Sequence, residues 1–146
     1  MENKLKQAYK IAQTYDVSTK PDAAVVYSVS FMPTDKNKKQ AQEFIITNPD
    51  AKMLDDTPCG KALIALGLEG TVDEVSLEIT KIWQIASKRF IDAASGNINA
   101  FIDGADERST FCTTELQEIL NNPHITHING IEKEKFASTI TFKHYN

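Results

Sequence analysis

The most strongly periodic part of the sequence is residues 71–95, which predict one long amphipathic helix. Asp73 and Glu74 stand near its start, where negative charge complements the positive end of the helix dipole. Apolar residues then recur at spacings typical of one helix face: Val75, Ile79, Ile82, Trp83, Ala86, Phe90 and Ala93. We therefore expect a helix with one face buried in a core.

The period of the pattern changes directly after this helix. Residues 98–102 (INAFI) are typical of a buried strand and lead into the polar run DGADER. Further strand candidates, rich in β-branched and aromatic residues, span 25–32, 125–131 and 138–142. Further helix candidates span 1–15, 35–46, a short apolar segment ended by Gly67 and Gly70, and 113–120. This order predicts an α/β fold in which a helical N-terminal part precedes a small, largely parallel C-terminal sheet flanked by helices.

Length and composition favour one domain over residues 1–146, with 1–70 mostly helical and 71–146 forming a helix and the sheet. The chain is 41% hydrophobic and 25% charged, as in ordinary soluble domains. A chain of this size buries roughly 70% of its unfolded surface, so it needs neither a metal nor disulfides to fold. Sixteen Lys plus Arg against twenty Asp plus Glu give a net charge of −4, which argues against nucleic acid as a partner.

No segment predicts a membrane span or a signal peptide. The longest apolar run, residues 62–68, has seven residues, whereas a membrane-spanning helix needs roughly 20. Residues 1–10 carry lysines without an apolar stretch behind them. We expect a chain that does not anchor itself in a membrane.

Three other features match reactive motifs only in part. The run CGK that begins at Cys59 lacks the first glycine and the final hydroxyl residue of a phosphate-binding P-loop. His124 and His127 would lie on opposite faces of a strand without a third ligand, so no metal site is predicted. Cys59 and Cys112 form no C-x-x-C pair, and we favour two free thiols over a disulfide. A nucleophile made from one cysteine and one histidine stays open as an alternative.

Three residues are candidates for a binding site. Trp83, the only tryptophan, lies within the long helix, either as a core anchor or as an aromatic face for a ligand. Ser87 follows four residues later on the same apolar face, where its hydroxyl needs a partner. Glu115 stands near the start of a short helix, where it either complements the helix dipole or projects into a cleft. The loop over 103–115 follows a strand, and such loops line the ligand crevice of α/β proteins.

Three stretches resemble the motifs of one family in the same order. Residues 82–94 (IWQIASKRFIDAA) resemble its Trp, Ser, Arg-Phe and Ala-Ala pattern, and residues 109–115 (STFCTTE) its Ser-Thr-Phe followed by Glu. Residues 55–60 (DDTPCG) are similar to its Asp-Asp and Cys-Gly motif, with Pro58 in place of an aromatic residue. On these residues the chain resembles the ADP-ribosyl cyclase/NAD glycohydrolase family. The family's second nicotinamide-stacking tryptophan has no counterpart, which favours glycosidic cleavage over cyclisation.

The resemblance implies that the chain cleaves the nicotinamide-ribosyl bond of NAD, with NAD as substrate and no cofactor. Such cleavage passes through an oxocarbenium-like state, which the carboxylate of Glu115 would stabilise as the catalytic residue. The indole of Trp83 would hold the cationic nicotinamide ring. The other implied substrate-binding residues are Ser87, Ser109, Thr110, Phe111 and Asp56.

The compact, cysteine-poor chain also resembles a bacterial toxin domain. The resemblance implies release from a larger secreted carrier, as in contact-dependent growth inhibition, and action in the cytoplasm of a target cell. It implies a cognate immunity protein as a partner. A second interpretation stays open, namely a small acidic, non-enzymatic binding protein such as an immunity protein, in which Trp83 and Glu115 are core and capping residues.

Overall fold

A computed structural model of the chain describes residues 2–27, 36–67, 77–102 and 115–139. The elements of these segments, in chain order, are helix α1 (Glu2–Thr14), strand β1 (Val25–Tyr27), helix α2 (Lys36–Thr47), a 3-10 turn (Leu54–Asp56), helix α3 (Pro58–Ala65), helix α4 (Leu77–Asp92), strand β2 (Gly96–Phe101), helix α5 (Leu116–Asn121), strand β3 (Ile125–Ile128), strand β4 (Ile131–Glu132) and helix α6 (Lys133–Thr139). The predicted mixed α/β class is confirmed.

The four strands form one sheet in the order β1-β2-β3-β4. Strand β2 is parallel to both of its neighbours, with Ala100 opposite Val26 and Ile98 opposite Ile128. Strand β4 pairs with β3 in the antiparallel direction. The sheet is largely parallel, as predicted, but its edge strand β1 comes from the N-terminal part of the chain. The carboxyl ends of β1, β2 and β3 therefore share one edge of the sheet.

Helices α1, α3 and α4 pack together in the main core. The inner face of α4 is fully buried at Ile82, Ala86 and Phe90, as its periodicity predicted. Leu63 of α3 and Ile98 of β2 belong to the same cluster. Burial of one large apolar side chain contributes about 1.5–3 kcal/mol, so this cluster holds the helices against the sheet.

A smaller core lies on the other face of the sheet, beneath α2. Val25 points into this second cluster with Ala41, whereas the next residue, Val26, points into the main core. The rings of Phe44 and Phe101 pack at 5.7 Å with a tilt of 55°. Helices thus cover both faces, which parallel sheets generally require.

The strand predicted over residues 125–131 is in fact two antiparallel strands. The chain reverses at Asn129 and Gly130, whose φ angles are 53° and 79°. Asn and Gly adopt such left-handed conformations at low cost, and the pair Asn-Gly is a strong hairpin signal. The turn therefore divides what looked like one strand.

The strand predicted over residues 138–142 is wrong at its first two residues, which end helix α6. Phe136 packs from this helix against the main core. Buried Lys133 donates a hydrogen bond to the carbonyl of Asn122 over 2.7 Å and so fixes the start of the helix. These tertiary contacts override the β-branched character of the segment. Residues 140–142, like residues 28–32 of the first predicted strand, lie outside the described residues.

Candidate active site

The 3-10 turn before α3 is fixed by its own side chains. Oδ2 of Asp56 accepts a hydrogen bond from the backbone N–H of Met53 over 3.0 Å. The hydroxyl of Thr57 donates to the carbonyl of Leu54 and accepts from the N–H of Gly60, so it caps α3. A Cβ at Gly60 would clash with the carbonyl oxygen of Leu54, so only glycine fits there. The turn thus has one defined shape beside α4.

Helix α4 supplies two of the predicted site residues from consecutive turns. Ser87 is buried, with 4% of its surface exposed. Trp83 is partly exposed and packs against the main core. A spacing of four residues places both side chains on the same side of the helix.

Glu115 directly precedes α5 and is buried, with 7% of its surface exposed. Its backbone is already helical, with φ −66° and ψ −43°, and its side chain makes no capping hydrogen bond. The carboxyl group therefore does not cap the helix. A buried carboxyl group needs a partner inside the protein.

That partner is Ser87, whose side chain shares a hydrogen bond with the carboxyl group of Glu115. Burial, followed by the negative charge of Asp55, raises the pKa of Glu115 from 4.5 to about 8. The hydrogen bond from Ser87 opposes this rise because it favours the ionised form. A carboxyl pKa moved this far by burial and a neighbouring charge is typical of functional sites.

The structure brings Glu115 and Ser87 together and adds Asp55, which was not among the predicted site residues. Asp56, the neighbouring predicted residue, uses one carboxylate oxygen to close its own turn. The spacing separates the two aspartates only once the turn is known: Asp56, three residues after Met53, closes the turn, whereas the negative charge of Asp55 acts on Glu115.

The remaining predicted substrate-binding residues, Ser109, Thr110 and Phe111, lie outside the described residues, as does Cys112. They belong to residues 103–114, which connect the carboxyl end of β2 to Glu115. In α/β folds the ligand crevice lies outside the carboxyl ends of the parallel strands. The connection therefore starts at the sheet edge where a ligand is expected.

Cys59 is a free, fully buried thiol whose Sγ donates to the carbonyl of Ile11 over 3.4 Å. Burial raises the pKa of this thiol, which keeps it protonated and poorly nucleophilic. Cys59 is thus unsuited to the alternative role of a Cys–His nucleophile. Across residues 2–27, 36–67, 77–102 and 115–139, no three His, Cys, Asp or Glu side chains group in a way that could hold a metal ion. None of the helices in these ranges has the length and apolar character needed to cross a bilayer.

No protein-family model matches the sequence, and no curated protein matches it. Solved structures do match. An Aplysia cyclase complexed with substrate NGD and product cGDPR is similar, with a TM-score of 0.58 at 12% identity, over 97% of this chain and 76% of that chain. The chain has the fold of the ADP-ribosyl cyclases.

Two further structures with the cyclase fold agree. An ADP ribosyl cyclase complexed with N1-cIDPR gives a TM-score of 0.56 at 12% identity, over 86% of this chain and 62% of that chain. Porcine CD38 complexed with a covalent intermediate, ribo-F-ribose-5'-phosphate, gives a TM-score of 0.50 at 18% identity, over 86% of this chain and 69% of that chain. The chain thus has the cyclase fold at a shorter length than these proteins.

Proposed function

We propose that the protein is an NAD glycohydrolase or ADP-ribosyl cyclase-like enzyme that cleaves the nicotinamide-ribosyl bond of NAD. The observation that carries this proposal is the buried carboxyl group of Glu115, hydrogen-bonded to Ser87 beside Asp55. The cyclase fold supports the same substrate class. NAD is the substrate, and the reaction needs no further cofactor.

In the proposed reaction the bond between C1′ of the ribose and the nicotinamide nitrogen breaks. Its electron pair leaves with the ring, which becomes neutral, and positive charge develops on the ribose. The ionised carboxylate of Glu115 stabilises that charge. Water then adds to C1′ and loses a proton, so the products are nicotinamide, ADP-ribose and H⁺. Attack by the adenine ring in place of water gives cyclic ADP-ribose.

The raised pKa of Glu115 fits this role. In the free protein at neutral pH the buried carboxyl group is largely protonated, since its pKa is about 8. A cationic nicotinamide ring bound nearby favours the charged form of a carboxylate. Substrate binding thus promotes the ionised form of Glu115 that the reaction uses, and the hydrogen bond from Ser87 orients it.

Trp83 supplies an aromatic face for the nicotinamide ring. The ring is flat and cationic, and a cation over an indole gains about 0.5–2 kcal/mol. Partial exposure of Trp83 on the same side of α4 as Ser87 supports this placement. The riboses and the diphosphate are assigned to the remaining residues that the family resemblance implies: Asp56, Ser109, Thr110 and Phe111.

The decisive experiment is incubation of the purified protein with NAD, followed by chromatography for nicotinamide. We expect nicotinamide release by the wild type and a strong loss with Glu115→Gln. Glu134→Gln, a change at an exposed glutamate of α6, is the matched control. Intact NAD at high concentrations of folded wild-type protein would contradict the proposal and favour the non-enzymatic binding protein.

We further propose that the activity serves as an antibacterial toxin, carried by a larger secreted protein and acting in the cytoplasm of a target cell. Cys59, one of two cysteines in the sequence, is a free buried thiol. The described core is thus held without a disulfide at this residue, which suits a reducing cytosol. Expression in a bacterium should deplete NAD and stop growth, whereas Glu115→Gln should be harmless. Healthy growth with undiminished NAD and soluble wild-type protein would contradict the toxin role.

A toxin of this kind requires an immunity protein in the cell that makes it. The sequence between β2 and Glu115 concentrates acidic residues: Asp103, Asp106 and Glu107. We propose that an inhibitor with a basic insertion covers this site and is steered to it by charge. Its association rate should fall as salt rises. A rate that is independent of salt would contradict the basic insertion.

A further inference from the structure

The side-chain amide of Asn129 forms hydrogen bonds with the backbone of β2 of the kind that a neighbouring strand would form. Its Oδ1 accepts a hydrogen bond from the backbone N–H of Ala100 over 2.8 Å, and its Nδ2 donates to the carbonyl of Ala100 over 3.0 Å. The amide group thus satisfies both backbone groups of one residue, as a neighbouring strand would. The N–H of Asn99 donates to the carbonyl of Ala24, directly before β1, over 3.0 Å. Since backbone groups of successive strand residues point to opposite sides, the N–H and C=O of Ala100 point away from β1.

The amide occupies this place because β3 ends before β2 does. Strand β2 continues to Phe101, whereas the pairing of β3 with β2 ends where Ile128 lies opposite Ile98. The N–H of Asn129 makes one more bond, to the carbonyl of Ile98 over 2.8 Å, and the chain then turns back. Ala100 is buried, and unpaired backbone groups in such a position are costly. The Asn129 side chain therefore completes the carboxyl end of β2.

This end of β2 is where the chain departs toward the candidate site. Residues 103–114 run from Ile102 to Glu115. Ile102 on one side and Leu116 on the other both pack against the main core. We infer that Asn129 is a positioning residue, which holds the carboxyl end of β2 and thereby fixes one end of the segment that leads to Glu115. The catalytic consequence of this inference rests on the proposed function, but the placement of Glu115 is measurable without NAD.

The backbone of Asn129 dictates which variants test this role. Its φ of 53° lies in the left-handed region, which Gly, Asn and Asp tolerate better than other residues. Asn129→Gly keeps the turn and removes the amide. Asn129→Asp keeps the size of the side chain and replaces the donor NH₂ by an oxygen that faces the carbonyl of Ala100. The two variants therefore change the hydrogen bonds while the turn is retained.

Asn97→Ala is the matched control. The side chain of Asn97 accepts a hydrogen bond from the N–H of Gly130 over 2.7 Å, so it contacts the same turn from nearer the amino end of β2. Its removal loosens the turn without touching Ala100. An effect through the turn alone would appear in this variant as well.

The experiment measures amide exchange at Ala100 and the titration of the ¹³C-labelled Glu115 carboxyl group by NMR, with NAD cleavage recorded separately. In Asn129→Gly, which removes the acceptor of the Ala100 N–H, we expect exchange at Ala100 to rise roughly tenfold or more, and in Asn129→Asp, which keeps an acceptor oxygen there, we expect a smaller rise. We expect the titration midpoint of Glu115 to move from about 8 toward 4.5, because water reaches a carboxyl group that is held less firmly. The kcat for NAD should fall while KM changes little. Asn97→Ala should leave the midpoint in place.

An unchanged midpoint in folded Asn129 variants would overturn the positioning role, and so would an equal shift in Asn97→Ala. Failure of both Asn129 variants to fold would assign the amide to sheet stability alone and would also overturn it. If the midpoint moves as expected but the wild type leaves NAD intact, the proposed function fails and the positioning role stands.

Discussion

The side chain of Ser87 on α4 and the carboxyl group of Glu115 beside α5 share a hydrogen bond inside the protein. Both residues are less than one tenth exposed. The 3-10 turn adds the negative charge of Asp55, which acts with burial to keep the carboxyl group protonated at neutral pH. The pH dependence expected of the protein follows from this one carboxyl group.

Glu115→Gln should fold normally and lose roughly 10²-fold or more of the NAD-cleaving activity, because a neutral amide does not stabilise developing positive charge. The measurement is nicotinamide release under initial-rate conditions, with circular dichroism to check the fold. Activity close to that of the wild type would remove Glu115 from the catalytic role.

The stability of the protein should depend on pH through Glu115. Its folded pKa of about 8 exceeds the usual 4.5, so between these values the folded state holds a proton that the unfolded state has lost. Stability therefore falls as pH rises through this window, by up to about 1.4 kcal/mol per pH unit from this group. Glu115→Gln should gain stability over the wild type from pH 5 to 8, as measured by urea unfolding. A difference that is constant with pH would show that the pKa is not raised.

The pH profile of kcat/KM should rise with an apparent pKa near 8, since the free protein must lose the Glu115 proton. Asp55→Asn removes a negative charge and should shift the rise to lower pH. Ser87→Ala removes a hydrogen bond to the ionised form and should shift it to higher pH. Shifts in the same direction in both variants would contradict the arrangement.

Trp83→Ala should weaken NAD binding by about 2- to 30-fold, which corresponds to the loss of about 0.5–2 kcal/mol of cation–π attraction. Trp83→Phe should lose less because a ring face remains. Measuring KM and the melting temperature distinguishes a role of Trp83 in ligand binding from a role as a core anchor. A sharp fall in melting temperature with unchanged KM would identify Trp83 as a core anchor.

A reducing agent should leave fold and activity unchanged, since Cys59 is a free thiol in the core. A thiol reagent should modify Cys59 only after denaturant exposes it. Circular dichroism and nicotinamide release with and without reductant check the first statement, and mass spectrometry under non-reducing conditions checks that no disulfide is present. The rate of thiol modification with and without denaturant checks the second statement. Loss of the folded state on reduction would contradict the prediction.

Periodicity in the sequence was sufficient to predict helices α1 to α5, but it did not predict α6, part of which was predicted as a strand. The apolar spacing around Ile82 and Phe90 identified α4 because one face of that helix is fully buried. The partner of each strand was not predictable, because the pairing of Val26 with Ala100 joins distant residues and depends on packing from both faces. The Asn-Gly pair is a local signal for a hairpin turn. The apolar residues on both sides of it led to the prediction of one continuous strand.

The site was predictable in part for a similar reason. The motifs pointed to Glu115 and Ser87, and their hydrogen bond agrees with that prediction. Asp55 was missed because its part in the site depends on how a 3-10 turn packs beside α4, and sequence spacing does not report that contact.

The pairing of β1 with β2 joins two parts of the chain that lie far apart in the sequence. Val26 and Ala100 are brought together only after a long loop has closed, and the entropy of that closure is recovered only when the whole sheet forms. Asp55 comes from the first half of the chain, and Ser87 and Glu115 come from the second. A fragment of either half therefore has no complete site, and separately made halves would regain one only by re-forming this strand pair. The proposed NAD-cleaving activity therefore requires that both halves of the chain have folded together.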